Sequence, residues 1–570
     1  MQAGPAEAFA VYQNPVYRHS FPDPFVLRHK GEYYAYSTGA AGDGIFEVLR
    51  SPDLVNWSNA GYAMDPPSAP AMHYWAPEVT YSAGKFYLYY SVGNEILMEL
   101  RVAVSERPDG GFEDAGVRLT CEDFAIDPHV FIDRDGTKWL FYATDFLDHT
   151  HIGTGTVVDK MISWTKLAGK PRPVTRAKFD WQVYDPARKE KGGVRWHTVE
   201  GPAVIERKGV YYEMFSGGNW QNHSYGVSFA TIDNLDTKDE WEQFADGTDL
   251  LPVIRTTPEV VGPGHNSIVR GPNGRETYCV YHRWTDAGRV MAIDRMDIAG
   301  DRIYVVGPTT TPQPMPFDAR DVVSDLPSSC LIEFAAEKNG SLRLCDASGG
   351  TLLKVKTAEN REYRIEIDGR WCSVVADGWE PVWRRHLDAV PTSLVSDGGN
   401  ASARMTGGFE DTFDRGEIAM SEWRIIPGTV CEERDKALSL AADAAVGGVG
   451  RGQLFDEIEV VINVRCETLG DGGGFGIALY GEEGDEVFSM FISPEGSEAT
   501  GTTELSFTLP DDWKLDKYHA YRVITAHGKA MIWLEQNYIG EVNMASGSYC
   551  PAVLCRSARI ALDMVRATAI

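Results

Sequence analysis

DPHVFIDRDGTKWLFYAT, from Asp127 to Thr144, is the stretch whose reading decides the fold. An acidic residue and a proline open it, an apolar strand follows, Asp135-Gly136 turns the chain, and an aromatic-rich strand returns. Four other stretches share this plan: DPFVLRHKGEYYAYST from Asp23, APEVTYSAGKFYLYYSVG from Ala76, EGPAVIERKGVYYEMFSGG from Glu200 and GHNSIVRGPNGRETYCVYHRW from Gly264. The turns HKGE, SAGK, DRDGT, RKGV and PNGR supply the glycine that a tight hairpin uses for positive φ, and alternation such as Tyr34, Tyr36 marks half-buried strands. The polar heads Asp23, Glu78, Asp127, Glu200 and His265 follow one another at about 50 to 70 residues, and a four-stranded propeller blade takes roughly 40 to 50 plus its loops. An ordinary sandwich would also show strand, turn and strand, but it has no cause to repeat a polar residue at the start of one strand per unit. The spacing predicts an all-β chain that opens with a five-bladed β-propeller, its five heads converging on one central funnel.

Working outward, GPTTTPQPMP (Gly307 to Pro316) cannot continue a sheet and reads as a linker. The chain stays β beyond it. REYRIEIDGRWCSVV (Arg361 to Val375) is a hairpin around Asp368-Gly369, glycine-rich seams fall at 396–400 and 406–408, and the strands after Phe409 read as a β-sandwich. The expected division is residues 1–316 as propeller, 317–407 as a β-rich connecting segment that joins or belongs to the sandwich, and 408–570 as a C-terminal β-sandwich.

Composition narrows the partner. The 570 residues carry 54 Lys and Arg against 82 Asp and Glu, a net charge of -28, and no basic run. A nucleic-acid backbone or an anionic membrane would be repelled, so neither is expected as a partner. Nine cysteines without a C-x-x-C pair fit neither a disulfide framework nor a zinc site, and point to a reducing compartment. The start MQAGPAEAFAVYQNP has no basic region followed by an apolar run, which makes a cytoplasmic location the expectation; a chain whose signal peptide had been removed would read the same. Oligomeric state leaves no mark in the sequence.

Acidic heads around one funnel suggest a reaction. Hydrolysis of a glycosidic bond needs one carboxylate to activate water and one carboxylic acid to protonate the leaving oxygen. Asp23, held between Pro22 and Pro24, suits the base. Glu200, on the longer side chain and followed by Gly201-Pro202, suits the acid. Asp127 beside it would raise its pKa by repulsion and keep it protonated near neutral pH. Trp75 could stack on a sugar face, Trp220 could line a leaving-group subsite, and His73, Glu78 and Arg295 could bond sugar hydroxyls.

The ordered motifs FPDPFVL, YWAPEV, AIDPHVF, VEGPAV and GPGHNSIV resemble glycoside hydrolase family 43 between about Asn14 and Pro314. The resemblance implies a five-bladed propeller, inversion at the anomeric carbon, no required cofactor, and the roles of general base for Asp23, general acid for Glu200 and orienting, pKa-tuning residue for Asp127. It places His265 on the axis, where family members hold a calcium ion or a water cluster, which makes His265 the candidate metal contact. Invertase-like relatives carry Asn and Arg where this chain has Pro22 and Ile126, and galactan-cleaving members lack the first Asp. Both departures favour pentose substrates. The expected activity is an exo-acting α-L-arabinofuranosidase on plant-type oligosaccharides, with β-xylosidase as the alternative and a non-catalytic sugar-binding propeller as the rival of another class. FEDTFDRGEIAMSEW (Phe409 to Trp423) resembles the opening of laminin-G or concanavalin-like sandwiches, and shows no aromatic platform of the kind a separate binding module would use.

Overall fold

A computed structural model describes residues 10–39, 42–244, 253–321, 325–378, 380–397, 403–414, 422–443, 445–511, 513–535 and 537–570. Part of the FEDTFDRGEIAMSEW stretch, at 415–421, lies outside them. Among the described residues, apart from two single-turn 3-10 helices, Asp180–Gln182 and Lys189–Lys191, the regular structure is all strand.

Five sheets form the ring. Blade I joins Phe25–His29, Glu32–Tyr36, Ile45–Ser51 and Ser58–Met64; blade II starts at His73–Ser82, blade III at Ala125–Ile132, blade IV at Val199–Arg207 and blade V at Val261–Arg270. These first strands touch in ring order, I to II and onward to V, then V back to I. Between neighbouring blades lies an apolar layer of its own, for example Tyr36, Val48, Leu88 and Tyr90 between I and II, and Tyr33, Leu49, Val280 and Ile293 between V and I. The aromatic residues of the returning strands fill these wedges, which is why they recur in every repeat. The chain is all-β, a five-bladed propeller with β-sandwich structure after it.

Two departures from the simple repeat bear on the site. Blade III is enlarged to seven strands, with Val183–Arg188 and Val194–His197 added at its edge. The proline-rich stretch also does more than link. Gln313–Pro314 pairs with Val11–Tyr12 and closes the ring, a place open to proline because the two-stranded ladder is all edge. Asn14 reinforces the closure, its amide donating to the Ile293 carbonyl at 2.7 Å and accepting the Ile293 N–H at 3.0 Å.

Beyond the ring, two cores follow. Leu326, Ile332, Leu342, Leu344, Ile365 and Val374 pack inside a small sandwich, and Val460, Ile462, Phe475, Ile477, Tyr521 and Ile560 inside a larger one. Ala403–Asp411 belongs to both, pairing with Ser329–Ala336 at one end and with Cys550–Ala569 at the other.

Buried ion pairs fasten this assembly to the underside of the propeller. Arg295 grips Glu459, with one bond of 2.7 Å, and touches Glu276 at 3.1 Å. Lys208 and Arg207 both reach Asp563 at 2.6 Å, and Arg566 reaches Asp297 at 2.7 Å.

Candidate active site

At the start of each first strand one residue adopts left-handed backbone angles: Asp23 (φ 52), Ala76 (φ 45), Asp127 (φ 58), Gly201 (φ 60) and His265 (φ 50). Four of the five precede a proline, and the strand bulges there in blades II to V before regular pairing begins. For a residue other than glycine this costs on the order of 1–3 kcal/mol, so something must hold it. A side chain on the second strand of the preceding blade, or just past its end in blade I, accepts the exposed N–H: Thr38 for Ala76 at 2.8 Å, Ser91 for Asp127 at 2.9 Å, Ser216 for His265 at 2.7 Å and His282 for Asp23 at 3.3 Å.

Blade IV breaks the rule. Thr144 turns its hydroxyl to the Phe124 carbonyl, and the Gly201 N–H goes to Asp127 Oδ2 at 3.0 Å.

This register corrects the expectation that the five polar heads share one position. Glu200 stands one residue before the left-handed residue, level with Trp75, and Glu78 stands two after it. Glu78 is thereby turned down the axis, where His129 Nδ1 meets it at 2.9 Å and His129 Nε2 accepts the Val204 N–H at 2.9 Å. Asp23, Asp127 and Glu200 are brought together. Burial, followed by the charges of Glu200 and Asp23, pushes Asp127 well above the usual carboxylate range.

Their surroundings set their acidities apart. Burial alone would raise Asp23, but Arg289 at 2.8 Å from Oδ1, with His265 at 3.5 Å, holds it well below the usual carboxylate range. Burial pushes Glu200 up to about 7, the charge of Asp23 adding to it, while the Tyr225 hydroxyl at 2.7 Å from Oε1 opposes the rise. Two buried carboxyl groups that repel each other titrate as a pair and share a proton. The Gly201 N–H donates to Asp127 and the Tyr225 hydroxyl to Glu200, each opposing the rise that burial imposes on its carboxyl.

Of the other expected residues, Trp220 reaches the site: Arg289 lies 4.5 Å over its ring, and Trp284 stacks beneath it at 6.0 Å. Trp75 packs with its ring against Met98, Ile126 and Ala143, and His73 covers it at 5.0 Å while facing Glu95 at 3.4 Å. Arg295 does not reach the site; it is the buried clamp on Glu459. His265 lies against Gly201, where a Cβ would meet its ring at 3.3 Å, and faces Asp23. Calcium takes six to eight oxygens, and among the described residues no group of three or more His, Cys, Asp or Glu side chains is arranged around a metal position.

Sequence reasoning missed Arg289, His282 and Tyr225, which lie on or just before second and third strands. It also missed Tyr184 and Arg188 on the extra strand of blade III, where Arg188 lies 4.9 Å over the Tyr184 ring and 5.1 Å over Trp196, near enough to Glu200 for its charge to act there. A comparison of second strands could have found His282, which occupies the place of Thr38, Ser91 and Ser216.

A propeller funnel with one carboxylate held ionised and one carboxyl held protonated is the equipment of a glycoside hydrolase. The chain belongs to the glycosyl hydrolases family 43, whose model matches residues 12–304. It is similar to a β-D-galactofuranosidase of Aspergillus niger, 28% identical over 312 residues that cover 50% of this chain and 81% of that one. It is also similar to an extracellular exo-α-(1→5)-L-arabinofuranosidase of Streptomyces chartreusis, 29% identical over 290 residues, 48% of this chain and 82% of that one. Among solved structures, a thermostable family-43 glycoside hydrolase aligns with a TM-score of 0.48 at 31% identity, covering 54% of this chain and 99% of its own.

Proposed function

We propose that the protein is an inverting exo-glycosidase that removes terminal α-L-arabinofuranosyl residues from plant-type oligosaccharides. Asp23 is the general base, Glu200 the general acid, and Asp127 the residue that orients Glu200 and raises its pKa. The observation that carries this reading is the opposite treatment of two carboxyl groups in one funnel, Asp23 kept anionic by Arg289 and Glu200 kept protonated up to about pH 7.

In the reaction, Asp23 takes a proton from water as that water attacks the anomeric carbon, and Glu200 protonates the departing oxygen from the other face. The Trp220 and Trp284 stack and the Tyr184 and Arg188 pair are proposed walls of the substrate site. No step is routed through a metal.

The furanose reading is supported by two relatives whose names specify furanosides. α-L-Arabinofuranose and β-D-galactofuranose share their ring stereochemistry and differ in the exocyclic chain, so β-D-galactofuranoside belongs in the test beside β-D-xyloside, the alternative carried by a xylan 1,3-β-xylosidase relative from Vibrio.

Nitrophenyl glycosides of the three sugars, followed by proton NMR of the first anomer released, test the proposal. The expected outcome is fastest release from the arabinofuranoside with inverted product, a loss of about 10²–10⁴-fold in Asp23→Asn, and in Glu200→Gln a loss of that size on an arabino-oligosaccharide but a much smaller one on the nitrophenyl glycosides. Release from no glycoside, or full activity in Asp23→Asn, would leave a sugar-binding propeller instead.

A further inference from the structure

Tyr225 lies just before the third strand of blade IV, Gly226–Ile232. Its ring occupies the space a side chain at position 264 would need: a Cβ built on Gly264 would sit 2.1 Å from Tyr225 Cε1. The ring also stacks on His282, centroids 5.7 Å apart and planes 6° from parallel. Its hydroxyl donates to Glu200 Oε1 at 2.7 Å. Burial, then the charges of Glu200 and Asp23, push the phenol well above its ordinary value of 10, so the hydroxyl is a donor at every pH where the enzyme would work.

A phenol that is always a donor occupies one oxygen of the acid. A carboxylic acid whose Oε1 accepts a hydrogen bond carries its own proton on Oε2.

Building on the assignment of Glu200 as the general acid, we infer that Tyr225 is a positioning residue that confines the transferable proton of Glu200 to Oε2 and turns it toward the leaving oxygen, and that position 264 is glycine to admit the Tyr225 ring. The proton balance is closed. The Oε2–H bond breaks as the leaving oxygen gains that proton, the anomeric carbon–oxygen bond breaks as the water oxygen bonds to that carbon, and the water proton goes to Asp23. Tyr225 keeps its proton throughout, and its hydrogen bond strengthens as Glu200 becomes anionic.

Tyr225→Phe removes the hydroxyl and leaves the stacked ring. A bond to a carboxylate favours the ionised form, so its loss raises the Glu200 pKa, and the alkaline limb of the kcat/KM profile should move up by about one unit. With the proton no longer confined to one oxygen, kcat should fall by about tenfold for alkyl or sugar leaving groups and much less for nitrophenolate, which leaves with little protonation. Gly264→Ala, which displaces the ring, should move the limb in the same direction. If Tyr225 served packing alone, every leaving group would slow equally and the limb would stay in place, and that result overturns the inference.

A carbon-13 titration of glutamate carboxyls, with Glu200 identified by its absence in Glu200→Gln, needs no turnover. A midpoint unchanged in Tyr225→Phe overturns the role of Tyr225 even in an active enzyme. A midpoint raised in a protein that cleaves no glycoside overturns the proposed function and leaves the hydrogen bond standing.

Discussion

At the funnel Asp23 owes its state to a neighbour on another blade. Arg289 is what keeps Asp23 low, since burial acts in the opposite direction. A base must be ionised to work, so activity is present above the Asp23 pKa and lost as pH falls through it. Arg289→Gln should therefore carry the acid limb of kcat/KM to higher pH, and a pH profile on a nitrophenyl arabinofuranoside reads the shift. The acid side runs the other way: as the proposed general acid Glu200 would work only while protonated, so activity should be lost as pH rises through about 7. On the proposed tuning role of Asp127, Asp127→Asn should move that limb to lower pH and reduce kcat by about 10²-fold or more. Asp23, Asp127 and Glu200 were legible because each stands beside a proline or glycine in a repeated setting. Arg289, His282 and Tyr225 were not, because no motif marks them: closure of the ring brings Arg289 and His282 of blade V to Asp23, and pairing within blade IV brings Tyr225 to Glu200.

The element that makes the site is the left-handed residue at the mouth end of each first strand and the hydroxyl or imidazole that satisfies its N–H. Ser91 does this for Asp127. Ser91→Ala leaves a buried N–H without its acceptor, and a cost of about 1–3 kcal/mol should appear in denaturant unfolding, together with lower kcat from a displaced Asp127. Gly201→Ala forces a Cβ to 3.3 Å from the His265 ring at a φ of +60°, and should reduce activity more than stability, since both carboxylates beside it shift. Hairpins and the number of blades could be read from glycine turns and aromatic returns, which are local signals. The strands Val183–Arg188 and Val194–His197 could not. Their pairing is interrupted by register shifts and stands on the edge of blade III, so no sequence periodicity announces them.

At the scale of the whole molecule the propeller and the sandwiches are joined by charge. Glu459 is fully buried and its main partner is Arg295. Removing one member of a buried pair strands the other, so Glu459→Ala should cost about 3–5 kcal/mol, and differential scanning calorimetry should show the propeller and sandwiches melting together in the parent and separating in the variant. That partnership spans 164 residues of chain, which is why Arg295 looked from its sequence like a sugar contact. The closure of the ring has a mechanical side. Val11 lies opposite Pro314 and Tyr12 opposite Gln313, so the incoming and outgoing chains leave this short ladder on the same side. Tension applied between them loads the bonds in sequence, like a zipper, and not all at once in shear. Stretched in an optical trap from Val11 and Pro314, the ring should part at this seam at low force and re-form on slackening, with all five blades still folded.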